Sequence, residues 1–532
     1  MHSAFIEYVF LILIILALVM IANKLKLAYP IVLVLGGLVL SFASVFSNVE
    51  IDPEMVFFIF LPPLLYEAAW QVSWKEFWKW RRVIASFAFP VVILTSCVIA
   101  FVSNALIHGF TLALGFLLGG IIAPPDAISS ATIMHKIKVP KSLISIAEGE
   151  SLLNDATALI IFRFALAAVL TGQFVIYEAA TSFTIVVLMG LLIGLGVGMI
   201  FYAIHRWLPV APNIEIVLTF VTPYCMYYFA EMFHFSGVLA VVSGGLYLSN
   251  KRQNMLSYVG RIQGINVWNN IVFVLNGLIF LLIGLQLPTI VRQLGDISLV
   301  DATWYGVVIS LVLIVTRLFC SLGASLFTRL MSRFITVADP NPGWKGPFIL
   351  GWAGMRGVVS LAAALSIPLL ISDGEAFPYR NLILYITFIV ILITLVVQGL
   401  TLPWLIRKLD IKEPNAITPH RQEAILQKKL AMASLKVLEE KYGKEVKGNH
   451  HLQNLSERLK IDMSVLQLHL EDEENKPGNP LTIHQHIHLD ILEAQREILA
   501  AINLKEEFDE DLIRKYLVLV DMEEYKLNEK LL

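Results

Sequence analysis

Long apolar stretches recur throughout the first 407 residues of the chain. A helix that crosses ~30 Å of membrane hydrocarbon needs about 20 residues. Thirteen stretches approach or exceed this length, at about 4–22, 31–47, 53–70, 83–107, 111–134, 142–170, 176–204, 213–232, 235–249, 265–288, 302–327, 348–371 and 380–406. The pattern predicts an all-α, polytopic membrane protein with about thirteen transmembrane helices, which we call spans 1 to 13 in chain order.

Basic residues mark every second connection between these spans. They follow the odd-numbered spans, as Lys24 and Lys26; Lys79, Arg81 and Arg82; Lys136, Lys138 and Lys141; His205 and Arg206; Lys251 and Arg252; Arg329 and Arg333; and Arg407 and Lys408. Cytoplasmic loops carry an excess of Lys and Arg. The alternation therefore predicts an external N-terminus and a cytoplasmic tail, in the cell (inner) membrane. Thirteen spans also permit two inverted six-helix repeats, spans 1–6 and 8–13, around span 7, as is typical of secondary transporters.

The last part of the chain differs from the membrane part in charge. Residues 408–532 hold 18 Lys and Arg and 24 Asp and Glu, which leaves 22 and 18 for residues 1–407. The tail also shows amphipathic patterns over about 450–472, 482–505 and 509–531, after a helix start at Thr418-Pro419. We predict a transmembrane domain over 1–407 and a helical cytoplasmic regulatory or assembly tail over 408–532.

Seven of the twelve histidines lie in that tail. Histidine titrates near physiological pH, so the tail fits a pH-sensing role, but solvated histidines on a polar surface fit the same pattern. A regulatory ligand or a protein partner at the tail is compatible with both interpretations.

Composition excludes several classes of protein. With 57% hydrophobic and 15% charged residues and a mean hydropathy of +0.72, the chain is not a water-soluble enzyme. A net charge of −2 gives no basic excess for nucleic acid. Three cysteines without CxxC spacing indicate neither a disulfide framework nor a zinc site. We find no Ser/His pairing, HExxH or phosphate-binding loop for an intramembrane enzyme, and we expect no cofactor.

Two spans contain residues that interrupt a helix. Span 5 holds Ala123-Pro124-Pro125-Asp126, where two prolines remove two backbone donors. Span 12, its counterpart in the second repeat, holds Gly351, Gly354 and Gly357 with Arg356 between them. Transporter sites form where helices are broken at corresponding positions of two repeats. The sequence therefore predicts that broken helices 5 and 12 meet at the site.

Span 6 is rich in ionisable and polar residues, which are expensive in hydrocarbon and default to functional candidates. Ser151 and Asp155 are four residues apart and share a helix face, while Glu150 and Asn154 form the adjacent stripe. Carboxylate, hydroxyl and carbonyl oxygens are the ligands that a small alkali cation needs. Asp126, Ser151 and Asp155, with a carbonyl freed by the prolines, would supply them, and a carboxylate that holds either a cation or a proton permits exchange. The alternative is that Asp126 caps the broken helix and Asp155 pairs with Arg163.

Four separated motifs carry a resemblance to a known family. Residues 150–155, Glu-Ser-Leu-Leu-Asn-Asp, resemble the signature of the sodium/proton exchangers, the electroneutral branch of the cation–proton antiporters that includes the NhaP-type proteins. Residues 123–126, 275–286 and 352–357 are similar to other motifs of that family. The resemblance covers nearly all of residues 1–407.

The resemblance implies roles for individual residues. Asp155 is implied as the main carrier of cation and proton; Asp126, Ser151 and the Pro125 carbonyl complete the shell around Na⁺, and Asn154 braces it. A second group is implied to hold the core together: Glu150 pairs with Arg356, and Glu67 joins that network. The family usually has Thr-Asp where this chain has Pro125-Asp126, so one hydroxyl is missing from the implied shell.

The functional hypothesis is a secondary-active antiporter that exchanges Na⁺ for a proton one for one. Asn154 before Asp155, rather than a second aspartate, is the pattern associated with electroneutral exchange. The family resemblance implies a homodimer in membrane lipid, with a moving core of spans 4–6 and 11–13. K⁺ or Li⁺ as the transported cation remains open, and an ion channel or a transport-like sensor is the alternative from another class.

Four further charged residues in the spans have no assigned transport role in the sequence. Arg163 and Arg317 fit either a structural partner of an interior acid or a part of the ion pathway. Glu215 and Glu231 lie near the ends of span 8, where we expect solvated positions at the lipid headgroups.

Overall fold

The computed structural model describes residues 2–42, 56–137, 139–172, 176–208, 211–295, 297–332, 339, 342–371, 375–411, 419–471, 480–503 and 510–529. The chain divides into two compact units, 1–413 and 414–532. The first ends a few residues after the predicted boundary between 407 and 408. The roles predicted for the two domains stay predictions.

The described residues of the first half of the membrane unit form a succession of helices. They are α1 (His2–Lys24), α2 (Tyr29–Leu40), α3 (Leu61–Gln71), α4 (Trp74–Ser86), α5 (Val92–Leu106), α6 (Leu112–Ile122), α7 (Ala127–Ile137), α8 (Lys141–Thr171) and α9 (Ile176–Trp207). A π-helical turn, Val56–Phe60, precedes α3, and a second, Phe87–Val91, joins α4 to α5 around Pro90.

The second half is also a succession of helices. It contains α10 (Pro212–Met232), α11 (Gly237–Met255), α12 (Tyr258–Leu285), α13 (Leu287–Gln293), α14 (Leu299–Met331), α15 (Lys345–Trp352), α16 (Val358–Leu365), α17 (Arg380–Ile393) and α18 (Gly399–Leu409). A third π-helical turn, Thr394–Gln398, joins α17 to α18. Each of the thirteen predicted spans contains one of these helices or an interrupted pair.

Six of the described helices are long and apolar enough to cross a membrane, judged by length and composition. They are Trp74–Leu106, Lys141–Thr171, Thr184–Trp207, Tyr258–Gln293, Leu299–Leu330 and Arg380–Leu409. Val9–Leu25, Tyr29–Leu40 and Leu112–Ile122 are shorter apolar helices. The prediction of an all-α polytopic membrane protein is therefore confirmed.

The two predicted helix breaks are present. In span 5, α6 ends at Ile122 and α7 begins at Ala127; in span 12, α15 ends at Trp352 and α16 begins at Val358. Close helix packing fixes the first break in place. A Cβ on Gly120 would lie 2.9 Å from the backbone nitrogen of Phe162, so α6 and α8 meet backbone to backbone. The span 5 break therefore lies directly against span 6.

The tail unit is helical, as predicted. Its helices are α19 (Pro419–Gly448), α20 (His450–Glu471), α21 (Pro480–Asn503) and α22 (Glu510–Glu529). Arg496 joins the last two: its Nη2 lies 2.8 Å from Asp521 Oδ1 and also contacts Glu524. These carboxylates raise the pKa of Arg496 above its ordinary value. Thr418, predicted as the cap, lies outside the described residues, as do the side chains of His469, His484 and His486.

Candidate functional site

The two broken segments cross and bond to each other. The backbone N–H of Asp126 donates to the carbonyl of Met355 at 2.7 Å. In the opposite direction, Arg356 Nε donates to the carbonyl of Ile122 at 2.8 Å, and its Nη2 donates to that of Ala123 at 3.1 Å. Backbone groups freed by a helix break must be satisfied inside the protein when no water is at hand. The crossing meets that need, and it makes the breaks of spans 5 and 12 one structural unit.

Asp126 occupies the centre of the crossing. Its Oδ1 accepts a hydrogen bond from the N–H of Ile128 at 3.0 Å and so caps the start of α7. Its Oδ2 is buried and has no hydrogen-bond partner among the described residues. A Cβ on Gly357 would collide with this carboxylate, so only glycine at 357 leaves room for it. One carboxylate oxygen thus stays available for a ligand.

Asp155 and Asn154 approach the same break from span 6. Asn154 Nδ2 donates to the carbonyl of Pro125 at 3.0 Å, in the place where the sequence analysis expected a brace. Asp155 is 7% exposed, and its carboxylate has no partner among the described residues. The predicted alternative, a pair between Asp155 and Arg163, is wrong, whereas the helix cap by Asp126 is present.

Asp126 and Asp155 both line a cavity of about 360 Å³. Of the predicted site residues, it brings together Asp126, Asp155, Ser151, Pro125 and Glu67. Its wall also includes Tyr29, Gln71, His135, Glu148, Val272 and Asn276. The cavity therefore places two aspartates, a hydroxyl and a proline of the broken helix around one space, which suits the binding of a small cation.

Glu67 lies elsewhere than predicted. The sequence analysis placed it in a network with Glu150 and Arg356, but it lines the cavity and accepts a hydrogen bond from Gln71 one helical turn along α3. It therefore faces the aspartates across the cavity rather than the buried ion pair.

Sequence reasoning assigned no role to Glu148 and did not consider His135. His135 Nε2 lies 3.3 Å from Glu148 Oε1, and both side chains line the cavity. The spacing along the sequence could have identified Glu148 as a residue that faces the site. Glu148, Ser151 and Asp155 are three and then four residues apart, which puts all three on one face of α8.

The predicted pair of Glu150 with Arg356 is wrong. Glu150 accepts two hydrogen bonds from Arg317, at 2.7 and 2.9 Å, and both side chains are buried. Gly354 makes this possible, because a Cβ there would collide with the guanidinium of Arg317. Arg356 is fully buried as well, but the carbonyls freed by the span 5 break satisfy its donors.

We expected both acids of span 8 to be solvated at the lipid headgroups. This is wrong for Glu215, which is buried, whereas Glu231 is partly exposed at the end of α10. Glu231 forms an ion pair with Arg163 at 2.8 Å and accepts the N–H of Gly237. Glu215 is 4% exposed and accepts hydrogen bonds from the N–H and, at 2.8 Å, the hydroxyl of Ser257. Arg163 and Arg317 thus both act as partners of acids in the structure.

Known proteins resemble the chain over this whole region. Residues 10–408 match the family described as "Sodium/hydrogen exchanger, transmembrane". The chain is 32% identical to a "Sodium, potassium, lithium and rubidium/H(+) antiporter" of Bacillus pumilus over 76% of its own length, and it spans 61% of that protein. It is 34% identical to the Na(+)/H(+) antiporter ApNhaP of Aphanothece halophytica, covering 73% of this chain and 70% of that one.

A solved structure shares the fold. The sodium proton antiporter MjNhaP1 from Methanocaldococcus jannaschii superimposes with a TM-score of 0.59 over 77% of this chain and 99% of that one, at 17% identity. The chain is also 30% identical to the exchanger YjcE of Escherichia coli over 81% of both chains.

Proposed function

This chain belongs to the sodium/hydrogen exchanger family, and on that premise we propose that it is a secondary-active antiporter of Na⁺ and protons. The observation that carries the proposal is the cavity lined by Asp126 and Asp155 at the crossing of two broken helices. The two carboxylates bind the substrate cation, together with Ser151 and the Pro125 carbonyl, and Asn154 holds that carbonyl in place.

Cation and proton compete for Asp155. A buried carboxylate without a protein partner is stabilised by a bound cation or by a proton, and leaving it charged with neither is costly. The binding site therefore changes from one side of the membrane to the other only when Asp155 holds a cation or a proton. This competition couples the two gradients without a resident cofactor or an enzymatic step.

The charges around the site support one-for-one exchange. Glu150 and Arg317 neutralise each other, and the positive Arg356 stands at the same crossing as the negative Asp126. Glu67 and Glu148 also line the cavity, with Glu148 beside His135. Asn154 is neutral, so we assign to Asp155 the one negative charge that is cancelled in turn by a cation and by a proton. The exchange is then electroneutral.

We further propose that the protein lies in the cell (inner) membrane with an external N-terminus and a cytoplasmic tail, as a homodimer with a regulatory role for the tail. The alternation of basic loops supports the orientation. K⁺ is a second candidate substrate, because the name of the Bacillus pumilus relative includes potassium, lithium and rubidium.

The proposal is tested in proteoliposomes with an internal pH dye. Addition of Na⁺ dissipates an imposed pH gradient with the wild type, and the Asp155→Asn variant reduces this rate to that of protein-free liposomes. Parallel additions of K⁺ and Li⁺ decide between the substrates. Asp301→Asn removes an exposed acid at the start of α14 and leaves the rate unchanged. Wild-type exchange by Asp155→Asn would refute the site.

A further inference from the structure

The helix that opens span 4 carries a surface that ion exchange does not use. Helix α4 and its continuation form an apolar segment, Trp74–Leu106, of 33 residues. At 1.5 Å per residue this segment is about 50 Å long, well beyond the ~30 Å of the hydrocarbon. The continuous apolar stretch begins only at about residue 83, so residues 74–82 lie at the boundary between hydrocarbon and water.

The exposed face of α4 combines cations and indole rings. Six exposed side chains fall within about 160° of the helix circumference at 100° per residue. They are Trp74, Lys75, Trp78, Lys79, Arg81 and Arg82, and we call them the Trp–basic face. The acid of this segment, Glu76, lies off that face, half-buried, and accepts a hydrogen bond from Trp80 Nε1 at 3.2 Å. The face is therefore strongly positive, although Lys79 lies 4.0 Å from Glu76 at its border.

The indole rings and the cations of this face contact each other. The rings of Trp74 and Trp78 stack with centroids 5.8 Å apart. The guanidinium of Arg81 lies 4.5 Å from the centre of the Trp78 ring. Exposed indoles prefer the headgroup level of a bilayer, where one part of the ring is apolar and another is wet. Two such rings fix the depth of the face in the membrane and place the cations at the height of the lipid phosphates.

We propose that the Trp–basic face is a binding site for the headgroup of an anionic phospholipid. A phosphate beside Lys75 and Lys79, which stand one helical turn apart, accepts charge-assisted hydrogen bonds from them. Arg81 adds to the positive charge of the face, and the acyl chains lie along the apolar part of span 4. Charge complementarity selects a lipid with a net negative headgroup over a zwitterionic one, because the latter brings its own cation.

The site lies close to the ion-binding helix. The side chain of Ile84, two residues past the Trp–basic face, is fully buried against Gly149, which stands between Glu148 and Glu150 on α8. An anionic lipid at this face therefore anchors a helix that packs directly on the helix of Asp155.

The binding is measured by tryptophan quenching in phosphatidylcholine proteoliposomes that contain a small fraction of brominated lipid. We expect brominated phosphatidylglycerol to quench more than brominated phosphatidylcholine at equal fraction. The excess disappears in W74F/W78F. It falls at least several-fold in K75Q/K79Q/R81Q, since each Lys or Arg near an anionic surface changes the binding constant about fivefold.

Matched variants separate this site from general charge effects. K24Q/K26Q/K251Q removes the same charge on the same predicted side of the membrane, away from the indoles, and keeps the excess quenching, as does the charge-preserving K75R/K79R/R81K. Asp155→Asn also keeps it, so that loss of ion exchange and loss of lipid binding are distinguishable.

Three results would overturn the proposal. One is equal quenching by the two brominated lipids in the wild type, and another is an unchanged excess in K75Q/K79Q/R81Q. The third is displacement by soluble glycerol phosphate at the same phosphate concentration, which would make the face a site for a soluble anion rather than a lipid.

Discussion

Gly357 decides where the Asp126 carboxylate lies. The carboxylate is held between the N–H of Ile128 on one side and the bare Cα of Gly357 on the other. A methyl group at 357 overlaps the carboxylate and displaces it from the cavity. Gly357 lies in the break before α16 and its φ is negative, −141°, so alanine does not require a left-handed backbone there.

We therefore expect Gly357→Ala to lose most of the exchange rate while its thermal stability stays within a few degrees of the wild type. Exchange is measured in proteoliposomes and stability by melting in detergent. Gly323→Ala is the matched control, because a Cβ at Gly323 meets nothing within 4 Å. Full exchange by Gly357→Ala would show that Asp126 does not depend on this contact.

Glu150 and Arg317 form a buried ion pair, and such pairs respond strongly to the loss of one partner. Removing either leaves an uncompensated charge at a cost of about 3–5 kcal/mol. Glu150→Gln and Arg317→Gln are each expected to lower the melting temperature markedly, and the double variant recovers part of the loss. The coupling is obtained from a double-mutant cycle.

The same double-mutant cycle with Arg356→Gln tests whether Glu150 pairs with Arg317 rather than with Arg356. Arg356 donates to carbonyls and not to Glu150, so the coupling of Glu150→Gln to Arg356→Gln is expected to be weaker than its coupling to Arg317→Gln. Stronger coupling of Glu150 to Arg356 than to Arg317 would restore the pairing that sequence alone suggested.

At the level of residues, the sequence predicted which side chains line the cavity better than it predicted their partners. Asp126, Ser151 and Asp155 are singled out by their helix positions and by the cost of burying them, and all three line the cavity. Arg317 and Arg356 are equally buried, and their distances along the chain from Glu150 carry no information on which one reaches it. The choice depends on Gly354, whose missing Cβ admits Arg317.

At the scale of elements, helix breaks were predictable where the sequence removes donors or side chains. Pro124-Pro125 and the glycines of span 12 do so, and both breaks are present. The π-helical turns Phe87–Val91 and Thr394–Gln398 were not predicted, because one extra residue in a turn leaves an apolar pattern almost unchanged.

The break of span 5 also yields a prediction for the element itself. Replacing both Pro124 and Pro125 by alanine restores two backbone donors and removes the clash that interrupts the helix. A continuous helix withdraws the carbonyls that Arg356 and Asn154 use, so exchange is expected to fall to a small fraction of the wild-type rate.

Proteoliposome assays with Pro223→Ala serve as the comparison for this variant. Pro223 lies inside the continuous helix α10, away from the breaks, and its replacement is expected to keep exchange. Equal rates for the Pro124/Pro125 double variant and the wild type would mean that the prolines do not maintain the break.

For the whole molecule, electroneutral exchange predicts independence from membrane potential. One net charge per cycle would couple to the potential by about 2.3 kcal/mol per 100 mV, which is roughly fiftyfold in the final ratio of ion gradients. We expect the same rate and the same final gradients with the potential clamped at zero or at about 100 mV of either sign.

The clamp is set with valinomycin and K⁺ gradients. Because K⁺ is itself a candidate substrate, proton movement is followed with and without added Na⁺ at each K⁺ gradient, and the difference is the Na⁺-driven part. A shift of the final gradients with potential would contradict one-for-one exchange while leaving the site at Asp155 untouched. An electrogenic antiporter reconstituted in the same liposomes verifies that the clamp works.

The division of the chain into two units agrees with the distribution of charge, and both were visible in the sequence. Apart from the meeting of spans 5 and 12, the pairing of helices within the membrane unit was not predicted, because lipid-facing and buried helix faces are equally apolar and periodicity does not separate them. Close approaches such as that of Gly120 to Phe162 become visible only once the helices are placed.

The crossing of the two breaks has a consequence for motion. The backbone N–H of Asp126 and the side chain of Arg356 each donate a hydrogen bond to the opposite segment. Separating spans 5 and 12 would leave these polar groups without partners in hydrocarbon. We therefore expect the two segments to move together as one rigid body during a transport cycle. The surface at which helices slide is expected elsewhere, where contacts are apolar and one can replace another. The two ends of the ion pathway then open alternately while the crossing of spans 5 and 12 stays intact.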